Sequence, residues 1–207
     1  MNTLSVRFEY PAKLSRGILL LKTFLGLLIC IPHFICLFFL AIVAGVVALI
    51  SWFAVLFTGK YPKGLFDYMV GVQDWGLRVA AYLLLLRDEY PAFGFSTDYP
   101  VKFNVTYPEK LSRGILLLRT FFGSIYVMVP HGFCLFFRYI AYLVVLFIAW
   151  WAILFTGKIP ERMFSFLSGT LRWAMNVRAY MFFLTDEYPP FSGKDLRTAP
   201  VGSGVPA

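Results

Sequence analysis

Two long apolar stretches dominate this sequence. They run from Gly17 to Phe57 and from Gly114 to Phe155, and each has about twice the roughly 20 residues that one membrane-spanning helix requires. Hydrophobic residues make up 59% of the 207-residue chain and charged residues only 14%, against about 25% charged in an average soluble domain. A soluble globule of this size could not bury so much apolar surface. The composition therefore predicts an integral membrane protein.

The two stretches belong to two copies of one unit. Residues 10–24 read YPAKLSRGILLLKTF and residues 107–121 read YPEKLSRGILLLRTF, which is 13 identities in 15 positions at an offset of 97. From the Pro-His pairs at positions 32 and 130 onward, the offset is 98. We therefore expect two tandem repeats.

The repeats have simple boundaries in the sequence. The first repeat covers residues 1–94 and the second covers 95–191. The remaining residues, 192–207, are polar and contain Gly and Pro, so we expect a flexible tail.

Each repeat begins with a short stretch in which apolar and polar residues alternate, at 3–10 and at 100–107. A period of two is typical of a half-buried strand. The two strands have matching patterns and can pair, but a lone two-stranded ribbon is marginally stable. We expect it to lie on the membrane surface or on the helices.

A proline divides each apolar stretch. The residue before a proline is biased away from helix, so a tight turn at Pro32-His33 would join helices 14–31 and 34–57 into a transmembrane hairpin. The second repeat would place helices at 111–129 and 132–155. One kinked helix is the alternative, although it would be too long for a bilayer unless much of it lay flat.

A further helix follows each predicted hairpin, at 63–87 and at 161–184. Its polar residues recur at steps of three and four, and a tryptophan lies near its middle, which favours an amphipathic helix at the membrane interface. A third spanning helix per repeat is the alternative. The predicted fold is thus all-α, with a hairpin, an interfacial helix and a short N-terminal strand in each repeat.

Charge placement favours four spanning helices over six. The net charge is +8, and the basic residues that flank the predicted hairpins all fall on one side, which predicts cytoplasmic termini. They are scattered singly, so we expect contact with anionic lipid and not with nucleic acid. The candidate contacts with lipid head groups or partner proteins are Lys13, Arg16, Lys60, Lys63, Trp75, Arg78, Lys110, Arg113, Lys158, Arg162, Arg172, Trp173 and Arg178.

Other charged residues suggest local roles. Lys22 and Arg119 lie inside the first predicted helix of each hairpin and are expected to reach toward the cytoplasmic surface. Arg138 is expected to reach the opposite head groups. The acids of the two Asp-Glu-Tyr-Pro motifs would pair with the basic residues just before each hairpin, and the polar face with Asp74 and Arg78 would be solvated.

The chain has two histidines, His33 and His131, which are repeat equivalents. Their neighbours Cys30, Cys36, Met128 and Cys134 are soft ligands of the kind that suits Cu(I), and paired histidines can hold haem. The simpler interpretation is that each histidine completes a turn and that the cysteines are small apolar residues. We adopt it and expect no metal, cofactor or catalytic residue, since no nucleotide-binding loop, catalytic triad or HExxH motif is present.

The motifs together resemble a known family. YPxKLSR precedes each apolar stretch, LFTGKxP follows it, and the second repeat closes with Arg178-Ala179-Tyr180 and then DEYPPF at 186–191. In the first repeat Arg78 stands earlier relative to Tyr82, and Ala92 replaces the second proline. This pattern is similar to DUF4389, a bacterial membrane-protein family of unknown function, once per repeat. The resemblance implies a bacterial integral membrane protein and no particular activity.

Three functions fit the sequence. The first is a non-enzymatic scaffold or accessory subunit of a larger assembly in the bacterial cytoplasmic membrane, with other membrane subunits or a second copy as partner. The second is a membrane-shaping or anionic-lipid-binding protein. The third is a small transporter or channel with its path between the repeats.

Overall fold

The computed structural model describes residues 4–95 and 98–194. Nearly all of the predicted tail lies outside the described residues. The elements in chain order are β1 (Leu4–Phe8), α1 (Arg16–Ile29), α2 (Ile31–Thr58), α3 (Lys63–Leu83), β2 (Val101–Val105), α4 (Arg113–Gly123), a π-helical turn (Ser124–Met128), α5 (Val129–Thr156) and α6 (Glu161–Met181). Both repeats are mostly helical and follow the same order.

Helices α1 and α2 continue into one another as one long helix and do not form a hairpin. The Cys30 N–H donates to the Gly26 carbonyl and the Phe34 N–H donates to the Cys30 carbonyl, both at 3.0 Å, so the helical bonding pattern crosses the junction. The predicted turn at Pro32-His33 is therefore wrong. Pro32 lies in the first turn of α2, where a missing N–H is tolerated.

The second repeat is helical without interruption from Arg113 to Thr156, over 44 residues. It has one residue more than the first between the buried positions Cys30 and His33 and their equivalents Val127 and His131. The π-helical turn absorbs this residue and keeps both buried positions on one helix face. The predicted turn at position 130 is consequently absent from this described segment, and helices 111–129 and 132–155 are one.

Residues 4–95 and 98–194 accordingly contain two candidate spanning helices, where four were expected. The segments long and apolar enough to cross a membrane are Ile31–Thr58 and Arg113–Thr156. Each belongs to one of two long helices, α1–α2 and α4–α5.

Only a narrow stripe of each long helix faces the rest of the protein. In the first repeat this stripe runs from Leu19 to Val55 in steps of three or four residues. Helix α3 packs antiparallel along it, since the Tyr68 hydroxyl donates to the Leu40 carbonyl at 2.8 Å and Trp75 reaches back to His33. Helix α6 packs on α4–α5 in the same way. Helices α3 and α6 are thus largely buried and do not form the exposed interfacial helices predicted.

Strands β1 and β2 form an antiparallel ribbon that joins the repeats. Val6 pairs with Phe103, its own repeat equivalent, and the flanking pairs are Leu4 with Val105 and Phe8 with Val101. This register places a pseudo-twofold axis through the centre of the ribbon. The same axis relates the long helices. The Trp150 indole N–H donates to the Thr23 hydroxyl, and the equivalent Trp52 indole N–H donates to the Thr120 hydroxyl, both at 2.8 Å.

Each long helix ends against the start of the other. The Leu111 N–H donates to the Gly59 carbonyl and the Leu14 N–H donates to the Gly157 carbonyl, both at 2.8 Å. Both glycines end their helices in the left-handed conformation, with φ of 72° and 69°. The glycine of each LFTGK motif is therefore needed to turn the chain where the two repeats meet.

We predict that Gly59→Ala lowers the free energy of unfolding by about 1–2 kcal/mol, because a side chain disfavours the left-handed conformation by that amount. Gly45→Ala is the matched control, since Gly45 lies inside α2 with open space around it and should gain helix propensity. Denaturant unfolding in detergent, followed by circular dichroism, measures both. Equal stability of the two variants would contradict the assignment.

Candidate functional site

The exposed large apolar side chains are concentrated on the two long helices. They extend from Leu20 to Phe57 on the first and from Leu117 to Phe155 on the second, and Phe24 is 77% exposed. The other exposed large apolar residues of the described chain are aromatic and lie in connecting segments: Tyr10, Tyr90, Phe93, Phe95, Tyr188 and Phe191. A continuous apolar surface of this extent is typical of a membrane or protein contact.

Basic side chains gather where one long helix ends beside the start of the other. We name these two places corner A (Lys13, Arg16 and Lys158) and corner B (Lys60, Lys110 and Arg113); all six side chains belong to exposed residues. In corner A, the Arg16 guanidinium donates to the Phe155 carbonyl at 2.7 Å, and in corner B the Arg113 guanidinium donates to the Phe57 carbonyl at 2.8 Å. Each arginine thus satisfies a carbonyl in the last turn of the opposite helix.

The remaining predicted contact residues divide into two groups. Lys63, Arg162 and Arg178 are exposed, so they stay available for lipid or a partner. Trp75, Trp173 and Arg78 are buried and Arg172 is half-buried. The prediction that Trp75, Trp173 and Arg78 contact lipid or a partner is therefore wrong. These side chains are buried because α3 and α6 each lie between a long helix and the ribbon.

A buried ion pair ties each long helix to the segment after the packed helix. The Lys22 ammonium donates to the Asp88 carboxylate at 2.8 Å, and Arg119 donates to Asp186 at 2.6 Å. Each carboxylate also accepts the backbone N–H of the serine that caps the long helix, Ser15 or Ser112. Lys22 and Arg119 therefore do not extend to the membrane surface. The aspartate of each Asp-Glu-Tyr-Pro motif pairs with them, and Glu89 pairs with Arg87, so these acids do not pair with the basic residues before the helix.

Polar groups on α3 and α6 hold the two edges of the ribbon. The Phe103 N–H of β2 donates to Asp74 at 2.7 Å, whereas Arg172, at the equivalent position of α6, donates to the Val6 carbonyl of β1 at 2.9 Å. Burial raises the pKa of Asp74, and the Phe103 N–H and Arg78 oppose that rise. The polar face of α3 is thus a buried support for the ribbon and not the solvated face predicted.

Arg138 also makes an internal contact. Its guanidinium donates to the Thr170 hydroxyl at 2.9 Å and lies 4.6 Å from the centre of the Phe166 ring. It binds α6 and does not extend to the head groups as expected.

Each histidine lies in an aromatic box. The Trp75 indole N–H donates to His33 Nδ1 at 2.9 Å, and Phe93 stacks on the imidazole at 3.9 Å between ring centres. Trp173 and Phe191 hold His131 with the same distances. The histidines thus bind the packed helices and the connecting segments, and do not complete turns.

The hydrogen bond from tryptophan argues against the alternative in which His33 and His131 bind copper or haem. An indole N–H can only donate, so His33 Nδ1 is the acceptor and the neutral ring carries its proton on Nε2. A protonated Nε2 has no lone pair for copper or haem iron. Among residues 4–95 and 98–194, no group of three or more His, Cys, Asp or Glu side chains is arranged to hold a metal ion.

The structure thus defines a duplicated helical protein with an interlocked pair of repeats and one extended apolar surface. The chain belongs to the family described as Domain of unknown function (DUF4389), whose model matches residues 21–95 and again residues 118–193. Neither the curated proteins nor the solved structures contain a match.

We predict that Lys22→Met lowers the free energy of unfolding by about 3–5 kcal/mol, since it leaves the Asp88 carboxylate partly buried without its cation. The control is Lys63→Met, which removes an exposed pair with Asp67 and should cost less than about 1 kcal/mol. Denaturant unfolding in detergent gives both values. Similar costs for the two variants would contradict the buried pair.

We predict that Trp75→Phe frees His33 Nδ1 and lowers the free energy of unfolding by about 1–3 kcal/mol. Nitrogen NMR of ring-labelled histidine should show only the Nε2-protonated form in the unmodified chain and a mixture of tautomers at His33 in the variant. His131 is the internal control, because its own tryptophan is unchanged. An Nδ1-protonated His33 in the unmodified chain would refute the bond.

Proposed function

We propose that this chain is a non-enzymatic scaffold of the bacterial cytoplasmic membrane that lies in one leaflet and binds anionic lipid. The observation that carries this proposal is the concentration of the exposed apolar side chains on the two long helices, with basic corners at both ends of that surface. A membrane-surface protein combines apolar burial with electrostatic attraction to anionic head groups in this way.

Helix length favours the in-plane orientation. The exposed apolar run from Leu20 to Phe57 is about 55 Å long at 1.5 Å per residue, whereas the hydrocarbon core is about 30 Å thick. A straight run of that length would have to tilt by more than 50° to match the core, and spanning helices rarely tilt beyond about 40°. Lying flat gives the whole run an apolar environment.

The pseudo-twofold axis favours the same orientation. If the two antiparallel long helices spanned the bilayer, the twofold axis that relates them would run parallel to the membrane, at its midplane. The ribbon, through whose centre the axis passes, would then also lie at the midplane. The ribbon bears Arg7 and Lys102, whose side chains are 66% and 42% exposed. Exposed charges at the bilayer centre are costly. With the long helices in the membrane plane, the axis follows the membrane normal and the ribbon faces water.

The charge pattern completes the proposal. In the in-plane orientation corners A and B lie at the same membrane surface, as the positive excess of cytoplasmic segments requires. We propose that this surface is the cytoplasmic one, which places both termini in the cytoplasm.

Flotation with vesicles tests anionic-lipid binding. We expect the full chain, synthesised in a cell-free system, to float better with vesicles that contain phosphatidylglycerol than with phosphatidylcholine alone, and to lose this preference in high salt. Lys60→Gln combined with Lys158→Gln should weaken the preference at least tenfold, at about 1 kcal/mol per charge.

The charge-matched control is Arg7→Gln combined with Lys102→Gln on the ribbon, which should leave the preference unchanged. Equal flotation with the two vesicle types would refute the proposal, and so would equal losses in the two double variants.

A second candidate function is that of an accessory subunit, and a polar cavity favours it. The cavity has a volume of about 640 Å³ and lies between α3 and β2, with Asp67, Asp74 and Lys102 in its wall. In the proposed orientation it opens away from the lipid, where a partner protein would bind. Co-purification of a stoichiometric protein that Asp67→Lys releases would support this role; a chain that always purifies alone would contradict it.

A further inference from the structure

An apolar groove lies between the two repeats beside corner A. It has a volume of about 510 Å³, and α1, the end of α3 and α5 line it with Thr23, Leu83, Leu143, Phe147, Trp150 and Trp151. The Trp150 indole N–H bonds the Thr23 hydroxyl across the groove, so neither group presents an unsatisfied polar atom to an apolar ligand.

The charged residue in the groove wall is already neutralised. The Lys22 ammonium donates to the Arg87 carbonyl and to the Asp88 carboxylate, both at 2.8 Å. Lys22 consequently presents its alkyl stem to the groove. The wall is therefore suited to a hydrocarbon chain and not to a polar molecule.

Corner A lies at one end of this groove. From Trp151 to Lys158 the chain advances about 10 Å along α5 and its C-terminal turn. The Leu14–Gly157 backbone bond holds the segment with Lys13 and Arg16 beside that turn. The carboxylate that contacts this end of α1 is Asp88, and Lys22 already pairs with it. The three exposed cations of corner A thus remain without a carboxylate partner in the described part of the chain, at one end of the apolar groove.

We propose that corner A and this groove bind one anionic phospholipid, with its phosphate at Lys13, Arg16 and Lys158 and an acyl chain along Leu143, Phe147 and Trp151. The site rests on the proposed function and deepens it, because it singles out one retained lipid from the general attraction to an anionic leaflet. Charge complementarity selects an anionic lipid, and the groove selects a lipid over free phosphate, which has no chain to bury.

Native mass spectrometry of the full chain in detergent tests the site. We expect one added phosphatidylglycerol to stay bound after detergent is removed in the gas phase, and to be retained at least tenfold better than phosphatidylcholine. Lys13→Gln combined with Lys158→Gln should abolish that preference, and Leu143→Trp should fill the groove and reduce retention of both lipids. Inorganic phosphate should not compete.

The matched control is Lys110→Gln combined with Lys60→Gln in corner B, which makes the same charge change and should leave the retained lipid in place. Equal retention of the two lipids would overturn the site, as would equal loss in the two double variants or full retention in Leu143→Trp. If the vesicle preference persists while no single lipid is retained, the site is refuted and the proposed function stands. Loss of the vesicle preference itself refutes both.

Discussion

The long helices present far more apolar length than a bilayer can cover in its thickness, and the rest of the structure depends on this mismatch. The second long helix has 44 residues, or about 66 Å, against a hydrocarbon core of about 30 Å. Only one stripe of each helix is protected by protein. In the orientation that we propose, a single leaflet supplies the remaining surface with an apolar environment along its whole length.

The duplication ties the two long helices together at both ends. Each long helix ends against the start of the other, and each edge of the ribbon is held by the packed helix of the opposite repeat. Equivalent positions carry opposite charges because each repeat uses a different group of the ribbon edge. The central residue of each strand directs both its N–H and its carbonyl outward; Asp74 accepts the Phe103 N–H of β2, whereas Arg172 donates to the Val6 carbonyl of β1.

Three features could be predicted from the sequence. Identity at a fixed offset revealed the repeats, the motifs within them indicated the family, and the period of two in both repeats predicted two strands that can pair. The continuity of the long helices could not be predicted. A proline is compatible with a turn and with the first turn of a helix alike, and a one-residue insertion reveals a π-helical turn only when the flanking buried positions are known. The change of offset from 97 to 98 was the available signal.

The buried polar contacts were also beyond sequence reasoning. Lys22 and Asp88 are 66 positions apart, and no local pattern links them. The substitution of Arg119 for Lys22 in the second repeat, with the acid retained, is consistent with a paired charge only once the contact is seen. Trp75 and Trp173 lie near the middle of amphipathic helices, as interfacial anchors do, yet the indole N–H of each donates to a buried histidine.

Depth measurement along one long helix tests the central claim most directly. Spin labels at positions 24, 38 and 53 replace exposed phenylalanines on one face, in a chain whose three cysteines are changed to alanine. Power saturation with oxygen and a nickel chelate then reports the depth of each label in reconstituted vesicles. The in-plane account predicts the same depth at all three positions, within one leaflet. A deep label at 38 between shallow labels at 24 and 53 would show a spanning helix and contradict it.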